Sequence, residues 1–278
     1  LGDVYKRQVL GGAFFGDNLS IISDTTIAAT RSQGCDMSDK FKANLWIALP
    51  AAVITLVLYV ILGAEVNDNV VLSSDTDWWL ILPYLTVIVT AVMGINVTIV
   101  LTLGIICSVV MGLMQGFTLV DLASFAGNGI AGMGDLIIIT LLAAGMLGIV
   151  KRAGGIAFIL QGLTRRIHGC RGAQSIIAIL VAIVNLCTAN NTVAIITVGS
   201  ISRDISRRYG IDPRKAASLL DSTSCIVQCL IPYGAQTLLA SGMAGISPGA
   251  PFPYLYYPWA LGVMVILSII FLFPKKLN

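Results

Sequence analysis

Long apolar runs separated by short polar connections dominate the 278-residue sequence. A membrane hydrocarbon core of about 30 Å is crossed by about 20 helical residues, and several runs approach or exceed that length. They span residues 43–63, 79–94, 96–116, 135–150, 174–200 and 254–273. The pattern therefore predicts an all-α polytopic membrane protein.

The composition agrees with this class and excludes several functions. Hydrophobic residues make up 56% of the chain and charged residues 11%, which lies outside the usual range of soluble globular domains. The Cys residues show no regular spacing and His168 is the single histidine, so neither a zinc site, a disulfide framework nor a Ser-His dyad is expected. We expect no cofactor, no metal other than a transported ion, and no nucleic-acid partner.

Lys and Arg are concentrated in a few connections, which predicts the orientation of the chain. Cytoplasmic loops carry an excess of positive charge. The segments expected in the cytoplasm are residues 31–42, 151–171 and 201–215 and the C-terminus with Lys275 and Lys276. Connections without Lys or Arg are expected outside, at residues 64–78, 117–134 and 242–253. The expected location is the cytoplasmic membrane, crossed several times.

The apolar run 174–200 joins two segments that are both expected in the cytoplasm, so an even number of passes must fit there. A re-entrant pair of helices with its tip at Asn190 and Asn191 would meet this requirement. An additional short crossing around residues 154–163 would meet it equally. The sequence leaves both arrangements open.

The stretch GDNLSIISDTTIAATR, residues 16–31, gathers polar side chains among apolar neighbours. An Asp at the centre of a membrane helix costs about 2.5–3.5 kcal/mol, whereas each Leu, Ile, Val or Phe returns only about 0.3–0.6 kcal/mol. Asp17 and Asp24 therefore outweigh the eight strongly apolar residues of segment 9–30. Such a segment must line water or contact other polar groups, because hydrocarbon cannot satisfy them.

A spacing of polar residues occurs twice in the chain. Asp17, Ser20 and Asp24 stand at i, i+3 and i+7, and the same spacing recurs later. The second set is Asp221, Ser224 and Gln228. The spacing predicts that each set lies on one face of a helix. Because the first set precedes a cytoplasmic connection and the second an external one, we predict inverted-topology repeats with broken or re-entrant helices.

The predicted organisation is one transmembrane domain, residues 9–278. In it, residues 9–63 form the end of a first repeat, residues 64–150 are connecting spans and residues 151–278 form the second repeat. Residues 1–8 lack an initiator Met and an apolar signal region, so they are expected to be a non-native addition to a fragment.

The polar residues suit one kind of chemistry. Carboxylate, hydroxyl and amide oxygens are the ligands that hard cations prefer. A carboxyl group that is partly removed from water can hold either a proton or a cation near neutral pH. This competition is the chemistry of ion exchange.

Three segments, GAFFGDNLSIISDTTIAATR, TANNTVAIITVG and LLDSTSCIVQCLIPYGAQTLLASG, resemble the NhaC-type sodium/proton antiporters, a family of secondary carriers. The resemblance covers about residues 9–273, and its most distinctive part is GD-x-x-S-x-x-SDT. It implies exchange of sodium or lithium for protons without a cofactor in a prokaryotic cytoplasmic membrane, and some relatives exchange malate for lactate. It also implies N-terminal truncation, because these proteins carry a counterpart of the TANNT segment before the part that matches.

By motif, the resemblance places the ion-binding residues in two groups. The first group is Asp17, Asn18, Ser20, Ser23, Asp24 and Thr25. The second group is Asn190, Asn191, Thr192, Asp221, Ser222, Thr223 and Ser224, to which the repeated spacing adds Gln228. In the expected mechanism, Asp24 and Asp221 alternately bind a proton and sodium while one repeat rocks against the other.

The same residues distinguish between alternative functions. A sodium- and proton-coupled organic acid antiporter is the main one, and we expect a cation instead because Arg31 is the only Lys or Arg near either polar cluster. An ion channel is a further alternative. Gly132-Met133-Gly134-Asp135 matches the G-x-G-D motif of intramembrane proteases, but no Tyr-Asp pair occurs, so no enzyme is expected. The lipid bilayer is a further partner, and a homo-oligomer is left open.

Overall fold

A computed structural model of the protein describes residues 2–20, 23–63, 78–93, 95, 97–132, 134–155, 158, 162, 169–244 and 246–274. Within these ranges the regular structure is helical and no strand is present. The α-helices are α1 (Gly2–Leu19), α2 (Asp24–Gln33), α3 (Met37–Gly63), α4 (Leu82–Val92), α5 (Val97–Met114), α6 (Leu119–Gly132), α7 (Gly134–Arg152), α8 (Gly169–Thr188), α9 (Asn191–Tyr209), α10 (Pro213–Leu230), α11 (Ala235–Ala244) and α12 (Tyr256–Ile270). Short 3₁₀ helices occupy Trp78–Ile81 and Phe252–Tyr254. The all-α prediction is confirmed.

Helices occupy every apolar run that the sequence pattern predicted. Among the described residues, Met37–Leu62 and Gly169–Thr188 are long and apolar enough to cross a membrane. The connection 117–134 differs from the expectation because it contains α6. Thr118 and Asp121 exchange capping hydrogen bonds at the start of α6, and this T-x-x-D signal predicts a helix start. The predicted connection 64–78 and the alternative crossing at 154–163 lie largely outside the described residues.

The first polar stretch does not form one continuous helix. The helix α1 ends at Leu19, and α2 begins at Asp24 with Ser23 as its N-cap, whose hydroxyl accepts from the Thr26 amide at 3.3 Å. The prediction that Asp17, Ser20 and Asp24 share one helical face is therefore wrong. The physical reason is that Ser and Asp side chains bond nearby backbone groups and favour a helix start over a helix interior.

A second interruption divides the apolar run 174–200. Ala189 has a positive φ of 49° between α8 and α9. Asn190 caps α9, because its side-chain oxygen accepts from the Val193 amide at 3.0 Å. The structure therefore places a helix break at the tip that the sequence predicted. By contrast, Asp221, Ser224 and Gln228 all lie within the uninterrupted helix α10.

The chain divides into two compact units, residues 1–67 with 135–278 and residues 68–134. In the first unit α10 is central and packs against α1, α2, α3, α8, α9 and α12. Leu219 and Leu220 of α10 are fully buried there. Helices α2 and α9 approach closely at Gly199, where an added Cβ would lie 2.5 Å from the Cβ of Ser32. This packing carries the polar residues of α1, α2, α9 and α10 to one region.

The second unit contains α4, α5 and α6. Helix α4 packs on α5 at Gly104, where an added Cβ would lie 2.5 Å from Val87 Cγ2. Phe117 and Phe125 make an edge-to-face contact with ring centroids 5.5 Å apart. None of the predicted ion-binding residues belongs to this unit, so the candidate site lies entirely in the first one.

Candidate ion site

Asn18, at the end of α1, is the most connected residue of the predicted first group. Its amide nitrogen donates to the hydroxyl of Tyr257 at 3.0 Å, and its side-chain oxygen accepts from Asn44 at 2.8 Å and from Ser222 at 3.3 Å. Its backbone carbonyl accepts from Asn44 at 2.7 Å and from Lys40 at 3.2 Å. Asn18 is fully buried, so these contacts join α1 to α3, α10 and α12 without access to solvent.

Asp17 reaches the second group through the start of α9. Its Oδ2 atom accepts from the amide of Asn191 at 3.4 Å and lies 3.9 Å from the sulfur of Cys225 on α10. Asp17 is close enough to Asp24 and Asp221 for electrostatic interaction with both. Carboxylates that are about two hundred positions apart in the sequence therefore lie in the same region of the fold.

Asp24 begins α2 and is exposed. Its Oδ1 atom accepts from the Thr25 amide at 3.0 Å, and its Oδ2 atom accepts from the Thr192 hydroxyl at 2.5 Å. The hydroxyl of Thr25 pairs with that of Ser23 at 3.0 Å, and Ser23 also donates to the carbonyl of Asp17 at 3.1 Å. The helix start of α2 is thus bound both to the end of α1 and to the start of α9.

Asp221 is fully buried in α10 and forms an ion pair with Lys40, which is also fully buried. The Lys40 ammonium donates in addition to Thr26 Oγ1 at 2.9 Å and to the Asn18 carbonyl at 3.2 Å. The expectation that only Arg31 lies near the polar clusters is therefore wrong. Its physical reason is that residues 37–42 belong to helix α3 instead of a loop, so Lys40 points into the protein.

Removing one partner of a buried ion pair typically costs about 3–5 kcal/mol, because the other charge is left uncompensated. Lys40 and Asp221 therefore depend on each other for their burial. The second oxygen of the carboxylate, Asp221 Oδ1, is buried and has no hydrogen-bond partner among the described residues. The Thr25 side chain lies close enough to interact with this carboxylate.

A network of neutral polar groups lies beside the ion pair. Asn44 Oδ1 accepts from Ser218 at 2.9 Å and from Ser222 at 2.8 Å, and all three residues are fully buried. Ser222 is among the ion-binding residues predicted from the sequence. The prediction did not include Asn44, Ser218, Thr26 and Lys40. Lys40 and Asn44 stand four positions apart at the start of an apolar run, and this i, i+4 spacing was the signal for a polar face on α3.

Other predicted residues lie around the site in supporting positions. Ser224 donates to the Asp221 carbonyl at 2.9 Å, and the Ser20 carbonyl accepts from Thr26 at 2.8 Å. Thr223 is buried, with no hydrogen-bond partner for its hydroxyl in the described ranges. Asn190 caps α9 and is exposed. Of these residues, Asn190 shapes a helix start, whereas Thr223 and Ser224 lie within α10 beside Asp221.

Gln228 lies at the far end of α10. Its amide nitrogen donates to the carbonyl of Ala189 and to Gln236 Oε1, both at 3.0 Å. It therefore contacts the α8–α9 interruption and helix α11. Neither of these two hydrogen bonds reaches a site carboxylate.

A helical membrane protein with carboxylates beside interrupted helices, one of them fully buried, has the architecture of a secondary transporter. The comparison with known families gives the specific assignment. The family model described as the Na+/H+ antiporter family matches residues 69–275, so the chain belongs to that family. The resemblance to the NhaC-type proteins is confirmed, and the chain is an integral membrane protein of a transporter family.

Curated relatives are similar over nearly the whole chain. The chain is 23% identical to the malate-2H(+)/Na(+)-lactate antiporter of Bacillus subtilis (strain 168), covering 96% of this chain and 64% of the relative. It is 25% identical to the Na(+)/H(+) antiporter NhaC of Alkalihalophilus pseudofirmus, covering 93% and 63%. It is 21% identical to the arginine/ornithine antiporter ArcD of Halobacterium salinarum, covering 93% and 60%.

The chain thus spans less than two thirds of the length of these relatives. No solved structure matches the chain.

Proposed function

We propose that this protein is a secondary antiporter that exchanges sodium or lithium for protons. The observation that carries the proposal is the convergence of Asp17, Asp24 and Asp221 with the amide of Asn191 and the hydroxyl of Thr192. Three carboxylates with neutral oxygen donors form a site for a hard monovalent cation. The similarity to relatives named as Na(+)/H(+) antiporters supports the same assignment.

The contact between Asp24 and Thr192 suits an exchange of proton and cation. A hydroxyl group donates to a carboxylate and accepts from a carboxylic acid, so the contact persists in both protonation states of Asp24. When sodium binds, the carboxylate must be ionised; when the proton binds, the site loses the charge that holds sodium. The two ions therefore compete for Asp24, while Asp221 supplies the second carboxylate of the proposed cycle.

Exchange of an organic acid is the second candidate, because one relative is named as a malate/lactate antiporter. The groups that would bind a carboxylate substrate are already occupied. The Lys40 ammonium donates to three oxygen atoms, and Ser23 and Asn190 cap the N-termini of α2 and α9. This arrangement favours the cation as the exchanged species.

The proposal includes a location in the cell membrane, with the basic segments 31–42, 151–171 and 201–215 and the C-terminus in the cytoplasm. It also includes two inverted repeats that rock against each other around the site. The end of α1 at Leu19 with the start of α2 at Asp24, and the interruption at residues 189–190, support this arrangement, because broken helices at the binding site are common in such carriers.

The test is sodium-driven proton movement in membrane vesicles that contain the protein expressed from its complete reading frame. Asp24→Asn is expected to abolish the exchange, because an amide neither ionises nor takes up the exchanged proton. Asp204→Asn is the matched control: Asp204 is exposed on α9 among basic residues, and its exchange activity is expected to stay normal.

Unchanged exchange in Asp24→Asn would remove Asp24 from the site. Absence of sodium-driven proton movement in the unaltered protein at every pH would overturn the proposed function. Flux that rises linearly with sodium, without saturation and without a counter-ion, would instead indicate a channel.

A further inference from the structure

Lys40 places a monovalent cation inside a ring of oxygen atoms. Its ammonium donates to Asp221 Oδ2, to Thr26 Oγ1 at 2.9 Å and to the Asn18 carbonyl at 3.2 Å. These acceptors come from α10, from α2 and from the end of α1, so three separate segments meet around one positive charge. We call the three oxygen atoms the Lys40 cage.

The three oxygen atoms of the cage are of the kinds that bind sodium ions. A carboxylate, a hydroxyl and a backbone carbonyl are hard donors. The carbonyl belongs to Asn18, one residue before α1 ends, and Thr26 lies in the first turn of α2. The ammonium of Lys40 is thus a stand-in for a small cation at the interruption between α1 and α2.

Stability alone does not account for the Lys40–Asp221 pair. Replacing a buried ion pair by apolar residues of similar size is often neutral or stabilising, because both charges must be taken out of water. Asp221 Oδ1 is also buried without a hydrogen bond of ordinary length in the described part of the chain, although the Thr25 side chain interacts with this carboxylate. A purely structural pair would be expected to use both oxygen atoms.

We propose that the Lys40 cage is the position that sodium takes at Asp221 in the proposed cycle, and that the Lys40 ammonium and the transported ion occupy it in turn. This inference rests on the proposed function and names the resident cation that compensates Asp221 when sodium is absent. Lys40 then acts as a specificity-determining residue: sodium enters only by displacing an equal charge. A carrier emptied of sodium keeps its charge balance and can reorient.

The test measures sodium binding to the purified protein in detergent, from the rise of the melting temperature with sodium against choline. Lys40→Met removes the competing charge and nearly keeps the side-chain length. The half-saturating sodium concentration is expected to fall about tenfold, which corresponds to about 1.4 kcal/mol. The sodium-dependent rise of the melting temperature is expected to grow, because Asp221 then lacks its counter-ion.

Lys40→Arg gives the opposite sign. The guanidinium stays charged and grips a carboxylate with two parallel hydrogen bonds. It is therefore a stronger competitor, and the half-saturating sodium concentration is expected to rise. Lys42→Met is the matched control: Lys42 is exposed on the same helix, 3.7 Å from Asp39, and its removal is expected to leave sodium binding unchanged.

The double variant Lys40→Met with Asp221→Asn keeps the result decisive if Lys40→Met alone does not fold. It leaves two neutral side chains and is expected to lose the sodium-dependent rise. Sodium binding as strong as in the unaltered protein would place the ion elsewhere and overturn the inference. Unchanged or weaker sodium binding in folded Lys40→Met would also overturn it.

These outcomes differ from failure of the proposed function. The function fails if the unaltered protein exchanges no sodium for protons in vesicles. The inference fails if the unaltered protein exchanges both ions while the Lys40 variants bind sodium without the expected changes of opposite sign.

Discussion

The amide of Asn18 decides the geometry of the site at the scale of single residues. Its donor side holds Tyr257, and its acceptor side holds Asn44 and Ser222. Each buried polar group that loses its partner costs about 1–3 kcal/mol. Because several partners depend on Asn18, its side chain stabilises the site more than any one contact suggests.

The expected effect of Asn18→Ala is a large loss of stability, of about 2–4 kcal/mol, because Tyr257, Asn44 and Ser222 all lose a hydrogen bond. Tyr257→Phe removes only one of these bonds and should cost about 1 kcal/mol. Thermal unfolding in detergent measures both. Equal losses in the two variants would show that the acceptor side of Asn18 contributes little.

Much of the candidate site followed from the sequence, because carboxylates in an apolar chain need an explanation. Asp17, Asp24 and Asp221 were selected on that ground, and the structure brings them together. Lys40 could not be selected in the same way. A basic residue near a membrane end is usually assigned to a cytoplasmic loop, and only its contact with Asp221 shows that it points inward.

At the scale of helices, two interruptions bring short polar segments together. Helix α2 starts with Ser23 as its cap, α9 starts with Asn190 as its cap, and Thr192 joins the two through Asp24. The sequence predicted the break at Asn190 from its polar residues within an apolar run. It did not predict that α1 ends at Leu19 and that α2 begins at Asp24, because the i, i+3, i+7 spacing fits a continuous helix equally well.

The close packing of α2 on α9 is expected to depend on Gly199. In Gly199→Ala the new Cβ would lie 2.5 Å from the Cβ of Ser32, so the helices must separate. Overpacking of this kind costs about 1–3 kcal/mol, and the contact between Asp24 and Thr192 should loosen with it. Thermal unfolding and sodium-driven proton movement measure the two effects.

Ser32→Gly in the same chain should restore part of the loss, because it removes the clashing atom. Gly172→Ala on α8 is the control, since nothing lies within 4 Å of the new Cβ. Equal stability of Gly199→Ala and Gly172→Ala would contradict the close approach of α2 and α9 at Gly199.

The start of α10 is expected to respond to acid. The Arg214 guanidinium beside Asp212 holds the pKa of that carboxyl below its usual value, and Asp212 Oδ1 also accepts from the Arg214 amide at 2.8 Å. A carboxyl whose pKa is lowered by folding stabilises the protein above its unfolded pKa, and this contribution is lost as the pH falls through the folded pKa.

Asp212→Ala should therefore cost about 0.5–2 kcal/mol at neutral pH, as for other lost helix caps. The difference in melting temperature between the variant and the unaltered protein should shrink below about pH 4, near the ordinary pKa of an Asp. A difference that stays constant well below that pH would mean that Asp212 does not act through its charge.

At the scale of the whole molecule, large apolar side chains are exposed along the helices. One face of α3 is buried through Ala43, Ile47 and Ala51, while Trp46, Val53, Val60 and other large apolar residues are exposed on it. Such surfaces suit contact with lipid chains. The apolar runs predicted this class of protein directly, whereas the family assignment needed the comparison over residues 69–275.

The proposed orientation predicts which ends of the molecule face which solution. In a variant without its natural Cys residues, Arg208→Cys should react with an impermeant thiol reagent only from the cytoplasmic side. Ser247→Cys should react only from outside, because residues 242–253 lack Lys and Arg. Both positions are exposed. Labelling of both from one side would contradict the orientation drawn from the basic segments.

The hydrogen bonds of Gln228 indicate which segments move together during transport. The side-chain amide of Gln228 has two N–H groups. It donates one hydrogen bond to the Ala189 carbonyl at the bend after α8 and the other to Gln236 of α11. Separating that bend from α11 would leave a buried N–H of Gln228 without its hydrogen-bond partner. The bend, α10 and α11 should consequently move together as a single rigid block during transport.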